Sequence, residues 1–288
     1  MKHFTVMALV ALLFQSPGFT QAPGAWTQPS SYQSPEVKGK PLKGVRVALD
    51  VGHSLAAPGA LSATGVGEFY FNAVTAGTIA RVLESAGATV ILINEDGQIA
   101  GLPERAVKAM KSKADCFISI HHDSVNRKYK KKWVVGGREQ EYADDFRGYS
   151  VFASSLNNHA EASRGLALEV GAALYETNMR PTLHHNEPIE GENKQFIDQE
   201  TGVYEFTNLV VLKSSLMPAI LLECGVIVHR EEEQLVKQGW YQEMIAKGLV
   251  KALAQSKEKG FVGKRNGKSL FGGGGKGGFL KGIFGGGE

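Results

Sequence analysis

The sequence predicts one α/β domain, built on a twisted, largely parallel β-sheet with helices on both faces and an active site at the carboxyl ends of the strands. Short apolar runs alternate with amphipathic stretches along most of the chain, a pattern typical of βαβ units. The hydrophobic fraction of 43% in 288 residues is ordinary for a globular core and argues against a protein with many membrane spans. Together these observations favour a single domain.

The predicted elements follow one another in chain order. Strands are expected where Val, Ile, Leu or Phe cluster in short runs, and helices where apolar residues recur three or four positions apart. The predicted strands are 45–51, 88–93, 115–120, 149–154, 209–215 and 219–224. The predicted helices are 67–87, 102–113, 159–178 and 231–256. Because helices separate the early strands, most strands should pair in parallel.

The two ends of the chain differ in composition from the predicted domain of residues 44–257. Residues 1–22 combine a basic start, a short apolar run and a turn-forming break, which predicts a secretory signal peptide whose cleavage position the sequence does not fix. Residues 23–43 are rich in Pro, Ser and Gln and should form a linker. Residues 258–288 are basic and glycine-rich, so they should be flexible, and they either contact a wall polymer or lipid surface or are simply disordered. We therefore expect an exported protein, periplasmic or extracellular.

Two long segments interrupt the alternation. Residues 125–148 carry a basic run followed by an acidic half, and they are predicted to form a solvated surface loop. Residues 183–208 contain two histidines and several acids with little apolar periodicity. Loops of this length are usually functional or disordered, so the second segment is a candidate part of a site.

Net charge and cysteine content narrow the classes of function. The formal net charge of +3 is small, and no basic helix interleaved with aromatic residues occurs, so nucleic-acid binding is not expected. Cys116 and Cys224 are the two cysteines. One lies at the beginning of a predicted strand and the other at the end of another, which is too far apart for a disulfide. Both should be buried free thiols.

Polar residues at the ends of predicted elements suggest a metal site. His53 follows the first strand, His121 follows the strand of 115–120, Glu223 ends the run AILLE, and Glu68 begins the first helix. The carboxyl ends of parallel strands meet at one edge of the sheet. Two imidazoles and one carboxylate are a common ligand set for catalytic zinc. Each residue alone is also compatible with an ordinary strand end, and strand alternation does not decide whether His121 or His122 faces the site.

Four blocks of the sequence resemble the hallmark blocks of the zinc-dependent N-acetylmuramoyl-L-alanine amidases of bacterial cell walls. These blocks are VALDVGHS, GVGEFYFN, FISIHHDS and MPAILLECGVIVHREEE, and the resemblance covers about residues 44–255. It implies that His53, Glu68 and His121 bind one Zn²⁺ ion and that Glu223 is the catalytic glutamate. The domain of 44–257 would then be the catalytic domain.

The resemblance also implies supporting residues and shows departures. Asp123 and Asn72 match positions that would support the ligands by hydrogen bonding, although either could instead face water. Arg105 matches an arginine on a family helix. The chain has VGHS where P-G-H-G is common, and Ile93 and Asn94 where Thr-Arg is common. These departures should alter the substrate groove rather than the metal ligands.

Compared with the family it resembles, the chain has an enlarged segment at residues 183–208. In some relatives an inserted element covers the zinc ion, so this segment is predicted to be a lid or a specificity wall. Side chains that would then approach the metal in a closed state are His184, His185, Glu187, Glu190 and Glu192.

The resemblance implies hydrolysis of the amide between N-acetylmuramic acid and L-alanine in peptidoglycan. Two alternatives remain open: a zinc peptidase acting on free wall peptides, and a catalytically inactive wall-binding module. The sequence has no HExxH motif, which excludes only the commonest metalloprotease arrangement. Peptidoglycan is the expected partner, and the need for an activator protein is left open.

Overall fold

A computed structural model describes residues 37–263. The predicted signal peptide, most of the predicted linker and the glycine-rich part of the tail lie outside the described residues. The strands of the main sheet are β1 (Arg46–Val51), β2 (Thr89–Ile93), β3 (Cys116–Asp123), β6 (Ser150–Ala153), β7 (Gln195–Asp198), β8 (Val203–Glu205) and β9 (Ala219–Val226). A separate two-stranded sheet contains β4 (Lys131–Val135) and β5 (Arg138–Tyr142).

The main sheet has the order β2-β1-β3-β9-β6-β8-β7. Strands β2, β1, β3 and β9 run parallel, whereas β6 pairs antiparallel with β9 and parallel with β8. The helices are α1 (Glu68–Ser85), α2 (Leu102–Lys111), α3 (Ala160–Glu176), α4 (Val210–Lys213), α5 (Arg230–Val236) and α6 (Gly239–Lys259). The predicted fold class, a largely parallel sheet in an α/β domain, is confirmed.

Helices cover both faces of the sheet, because the inner strands carry apolar residues on both faces. Ile118 and Leu222 point to one face, where they pack in a core with α1, α3 and α6. Phe117 and Leu221 point to the other face, toward the smaller helices α2 and α4. At the carboxyl ends, His121 of β3 lies directly beside Glu223 of β9 in the strand register. The pairing therefore brings two of the predicted site residues together.

The central part of residues 125–148 is exposed at the surface as predicted, but the segment is not an irregular loop, because it contains the β4-β5 hairpin. Gly136 and Gly137 both have positive φ, at 57° and 75°, which allows the tight turn that joins the two strands. Trp133 and Tyr142 pack edge to face, and the Arg230 guanidinium lies 4.0 Å from the centre of the Tyr142 ring. The paired glycines between two strand-like runs were the sequence signal for this hairpin.

Two further predictions are corrected downstream. Residues 183–208 are not an irregular loop, since they contain a short 3₁₀ helix at His184–Asn186 and the strands β7 and β8, which complete the edge of the main sheet. The run at 209–215 was predicted as a strand but forms α4, in which Val211 and Leu212 are buried. A short apolar run does not distinguish a buried strand from a buried helical turn.

The folded unit extends slightly beyond the predicted bounds of 44–257. Leu42 is fully buried in the larger core, and α6 continues to Lys259, where Gly260 ends the helix in the left-handed conformation. Cys116 and Cys224 are buried and unbonded, as predicted. Among residues 37–263, no helix combines the length and apolar character required to cross a membrane.

A buried carboxyl group, Glu232 at the beginning of α5, predicts a pH dependence of stability. Its side chain accepts hydrogen bonds from the backbone N–H of Gly148 at 2.9 Å and of Val226 at 3.0 Å. Burial raises the pKa of Glu232 to about 7. The unfolded chain loses this proton near the ordinary value of 4.5, whereas the folded chain keeps it until about pH 7. The contribution to stability therefore falls as the pH rises through this window.

We expect the free energy of unfolding to drop by about 3 kcal/mol more in the parent than in Glu232→Gln when the pH is raised from about 5 to about 8. Urea denaturation at the two pH values measures the difference. Glu231→Gln, which changes an exposed neighbour, should keep the dependence of the parent. Equal pH dependence in the parent and in Glu232→Gln would contradict the assignment.

Candidate metal centre and active site

Three side chains form a compact cluster at the carboxyl edge of the sheet. His53 Nε2 lies 2.9 Å from Glu68 Oε2, and His121 Nδ1 lies 2.9 Å from Glu68 Oε1. One donor atom from each residue lies within 4.8 Å of the other two. The Glu68 side chain is 5% exposed and that of His53 is 32% exposed, so the cluster is anchored inside but open on one side. The donors can hold a metal ion, and two imidazoles with a carboxylate are a set that suits zinc.

The backbone after β1 is shaped to place His53. His53 has φ of 63°, an uncommon conformation for a residue with a side chain. Its carbonyl oxygen accepts hydrogen bonds from the Arg105 guanidinium and from Asn94 Nδ2, the latter at 2.6 Å. Arg105 is 1% exposed, and its guanidinium also donates to the Val51 carbonyl at 2.8 Å. Arg105 and Asn94 therefore hold the strand end in the shape that turns His53 toward Glu68.

Gly52 leaves the space that the His121 ring occupies. A Cβ atom added at Gly52 would lie 2.3 Å from His121 Nε2, which is closer than atoms pack. The φ of Gly52 is not in the left-handed region, so an alanine there would be tolerated by the backbone but would displace the imidazole. The requirement for glycine at this position therefore comes from the ring.

We expect Gly52→Ala to weaken metal binding at the His53, Glu68 and His121 cluster by about 10- to 100-fold, the range seen when the surroundings of metal ligands are disturbed. Competition with a chromophoric chelator measures the affinity. Gly239→Ala is the matched control, because no atom lies within 4 Å of the added methyl group. An unchanged affinity in Gly52→Ala would show that the ring adapts without cost.

Asn72 and His122 surround the Glu68 carboxylate on its buried side. Asn72 Nδ2 donates to Glu68 Oε1 at 3.2 Å, and Asn72 Oδ1 lies 2.8 Å from His122 Nδ1. The backbone N–H of His122 also donates to Glu68 Oε1 at 3.2 Å. Burial lowers the pKa of His122 to about 3, so its ring is neutral. His121 points to the cluster and His122 points to α1, the choice that strand alternation alone left open.

The charges of the two glutamates differ. Burial disfavours the ionised form of Glu68, but the hydrogen bonds with His121 and His53 outweigh it and hold its pKa below the usual range. Burial raises the pKa of Glu223 well above its usual range, and the nearby Asp123 and Glu68 carboxylates raise it further. Glu223 Oε2 is buried and has no hydrogen-bond partner. Glu68 is thus suited to bind a cation, and Glu223 is suited to hold a proton.

The structure gives Asp123 a different place from the predicted support of the metal ligands. Its Oδ2 atom lies 2.8 Å from His185 Nε2 and 3.5 Å from His184 Nε2. Burial opposes ionisation of Asp123, yet the charge of His185 outweighs it and lowers the pKa of the carboxyl. Burial lowers the pKa of His184, whereas Asp123 overcomes the effect of burial on His185 and raises its pKa to about 9. These three residues form a second cluster.

The side chains predicted to reach the first cluster from residues 183–208 are engaged elsewhere. His184 and His185 face Asp123 instead. Glu187 accepts a hydrogen bond from the Tyr129 hydroxyl at 2.7 Å, and Glu190 is exposed. The structure thus places this segment against the end of β3, where its histidines are already buried.

Both clusters open onto one cavity of about 420 Å³. His53, His121 and Glu223 line one part of it, and Asp123 and His185 line another. Apolar side chains from α4 and its neighbours complete the wall, among them Phe206, Leu209 and Val211. A substrate group that enters this cavity would contact the first cluster and Glu223 together.

Sequence reasoning missed the roles of Asn94 and Gly52. Asn94 was treated only as a departure from a family pattern, yet it is fully buried, and its Oδ1 accepts from the Ile99 N–H at 2.8 Å while its amide supports His53. Its position directly after a strand was the available signal. For Gly52, nothing in the sequence indicates that the missing side chain accommodates a ring from another strand.

Comparison with known proteins agrees with this geometry. The family model described as N-acetylmuramoyl-L-alanine amidase matches residues 47–255. The "Probable cell wall amidase LytH" of Staphylococcus aureus is 26% identical over 215 residues, which make up 74% of this chain and 58% of that protein. The chain thus spans less than two thirds of the length of this relative.

Solved structures share the fold. The amidase Ami1 of Mycobacterium smegmatis superposes with a TM-score of 0.59 at 20% identity, over 76% of this chain and 99% of that one. An N-acetylmuramoyl-L-alanine amidase of Clostridium difficile 630 gives 0.58 at 23% identity, over 75% and 98%. The matched region contains the three residues of the first cluster and also Glu223. The chain belongs to the N-acetylmuramoyl-L-alanine amidase family.

Proposed function

We propose that the protein is a zinc-dependent N-acetylmuramoyl-L-alanine amidase that hydrolyses the amide between the lactyl group of N-acetylmuramic acid and L-alanine in peptidoglycan. One observation carries the proposal. The cluster of His53, Glu68 and His121 lies next to Glu223 across the register of β3 and β9, within the region that the family match covers. The products are a glycan strand without its peptide and a stem peptide with a new amino-terminal alanine.

The ligand set supports zinc as the cofactor. His53, Glu68 and His121 would hold the ion, and Asn72 orients Glu68 by its hydrogen bond at 3.2 Å. Bound zinc lowers the pKa of a water molecule and polarises the carbonyl of the amide. Gly52 and the Arg105 contacts keep the two imidazoles in place before the ion arrives.

Glu223 would move the proton in this reaction. Its carboxylate accepts a proton from the attacking water and delivers it to the nitrogen of the departing alanine. Its buried position and the neighbouring carboxylates raise its pKa, so the ionised carboxylate is a stronger base toward the water proton, and the protonated form then serves as the acid in the second step. The unpartnered Oε2 atom is free of competing hydrogen bonds.

Product analysis tests the proposal. Purified protein loaded with zinc is incubated with peptidoglycan, and the soluble products are identified by mass spectrometry. We expect intact stem peptides with a free amino-terminal alanine from the parent and none from His121→Ala, which lacks a ligand. Zinc content and circular dichroism are measured on both, so that loss of the ion is separated from loss of the fold.

Two other results would contradict the proposed activity. Cleavage within free wall peptides, with the muramoyl amide left intact, would identify a zinc peptidase. Binding to peptidoglycan without any release by the zinc-loaded parent would identify an inactive wall-binding module.

We also propose that the protein acts at the cell wall after export, with residues 1–22 removed as a signal peptide and 44–257 as its catalytic domain. The name of the staphylococcal relative, a cell wall amidase, supports this location. Amino-terminal sequencing of the protein recovered from the cell envelope tests the removal. An activator protein and a contact of residues 258–288 with the wall or a lipid surface stay predictions.

A further inference from the structure

We propose that Asp123, His184 and His185 form a second binding site for a divalent transition-metal ion, distinct from the His53, Glu68 and His121 cluster. The Nε2 atoms of both histidines point at the same carboxylate oxygen, Asp123 Oδ2, at 3.5 and 2.8 Å. One donor atom from each residue lies within 4.8 Å of the other two, as in the first cluster. The inference does not depend on the proposed hydrolysis.

The two imidazoles are oriented as a shared metal ion would require, and an ion would replace the hydrogen bond of 2.8 Å between His185 Nε2 and Asp123 Oδ2. Each ring uses its Nδ1 atom for a different partner, with Thr182 Oγ1 at 2.8 Å from His184 and Glu192 Oε2 at 2.9 Å from His185. Metal-binding histidines are usually fixed in this way, by a polar group on the nitrogen that does not bind the ion. Both Nε2 atoms are thus directed to one point.

An unpartnered buried atom is a second, independent observation. His184 is 2% exposed, and its Nε2 atom is buried without a hydrogen-bond partner. A buried polar atom left in this state destabilises the folded chain. Coordination of an ion between His184 Nε2 and Asp123 Oδ2 would remove that cost.

The backbone brings the three residues together from two separate segments of the chain. The pairing of β3 with β9 shifts between His121 and Asp123, so Asp123 falls outside the regular register. His184 and His185 come from the 3₁₀ helix of residues 183–208. An ion held here would bind this segment to the end of β3 and thereby fix one wall of the cavity. Asp123 and His185 line that cavity, which gives the ion a route from solvent.

Two imidazole nitrogens and one carboxylate oxygen are donors of the type that Zn²⁺ and other first-row divalent ions prefer, rather than Mg²⁺ or Ca²⁺. Zinc is therefore the probe for the experiment. The purified protein carries no affinity tag, is stripped with chelator, is reloaded with zinc and is dialysed against metal-free buffer. The number of zinc ions per chain is then measured by elemental mass spectrometry.

We expect about two zinc ions per chain in the parent, about one in His185→Ala and about one in His121→Ala, with almost none in the double variant. His159→Ala removes a histidine outside both clusters and should keep about two ions. Adding zinc to stripped His121→Ala should still raise its melting temperature, because the second site binds only the folded chain.

The proposal fails if the parent binds a single ion whose loss follows His121→Ala alone, since Asp123 and the two histidines would then be a metal-free hydrogen-bonded group. Anomalous diffraction from crystals of the zinc-loaded parent, measured at the zinc absorption edge, tests the second site without any variant. Two anomalous peaks, one at each cluster, would support the site even where His185→Ala does not fold. One peak at the first cluster would overturn it. Neither measurement uses peptidoglycan, so a failure of the proposed hydrolysis is seen separately.

Discussion

Replacing Glu223 with glutamine should reduce peptidoglycan hydrolysis by about 100- to 10,000-fold, the range that proton transfer by a positioned side chain contributes. The amide of glutamine has nearly the shape of the carboxyl group, so packing beside His121 is kept. It cannot take a proton from water or return one to the departing amine. The zinc content of Glu223→Gln should therefore equal that of the parent.

The structure explains why this loss should be so large. Glu223 is the residue of β9 that stands opposite His121 of β3, and it lines the same cavity as His53. Its Oε2 atom is buried and has no hydrogen-bond partner among the described residues, so no hydrogen bond competes for this oxygen. The pKa raised by burial and by the neighbouring carboxylates makes the ionised side chain a stronger base for the first proton transfer.

Initial rates of stem-peptide release at saturating peptidoglycan measure the effect. Glu190→Gln makes the same chemical change at an exposed position next to Gly191, which lines the cavity, and should leave the rate unchanged. A Glu223→Gln variant that retains more than about a tenth of the parent rate would remove Glu223 from the proton-transfer role.

Replacing Arg105 with methionine should lower the free energy of unfolding by about 3–5 kcal/mol. This is the cost of removing one member of a buried ion pair, which leaves the other charge buried without a partner. Arg105 lies 3.4 Å from Asp50, which is fully buried and also accepts a hydrogen bond from Ser119 Oγ at 2.7 Å. Its guanidinium also donates to the Ile99 carbonyl at 2.8 Å. Methionine fills much of the volume but satisfies none of these acceptors.

The same substitution should also disturb the metal site. The Arg105 guanidinium donates to the carbonyl of His53, whose φ of 63° requires support from its surroundings. We expect Arg105→Met to weaken zinc binding at the first cluster by about tenfold or more, in addition to the loss of stability. Zinc affinity is measured at a temperature where the variant remains folded.

Urea denaturation of the metal-free protein gives the change in stability. Lys108→Met, one turn further along α2 on its exposed side, should change stability by less than about 0.5 kcal/mol. A loss of stability in Arg105→Met no larger than in Lys108→Met would show that water or a shift of the chain satisfies Asp50 and the carbonyls. The predicted role of Arg105 as a supporting residue would then be withdrawn.

Local sequence was sufficient to predict most of the parallel half of the sheet. Runs such as those of β1 and β3 are apolar on both faces and are separated by helices long enough to cross over the sheet. The elements that were predicted incorrectly are all short. Residues 209–215 contain a helical turn, and the hairpins β4-β5 and β7-β8 lie in segments that were predicted as loops, because elements of three to five residues carry little periodic signal.

The amino-acid sequence by itself determined the fold class, the strand ends at which His53, His121 and Glu223 occur, and the family, because these depend on local periodicity and on the type of residue at each position. Only the tertiary structure decided which side chains meet. In the structure Asp123 contacts His184 and His185 instead of the first cluster. Asn94 supports His53 by a hydrogen bond, and Gly52 leaves space for the His121 ring. Such contacts join residues that are far apart in the chain, and they are fixed by strand register, by a shift in pairing and by the space between atoms, none of which a local pattern encodes.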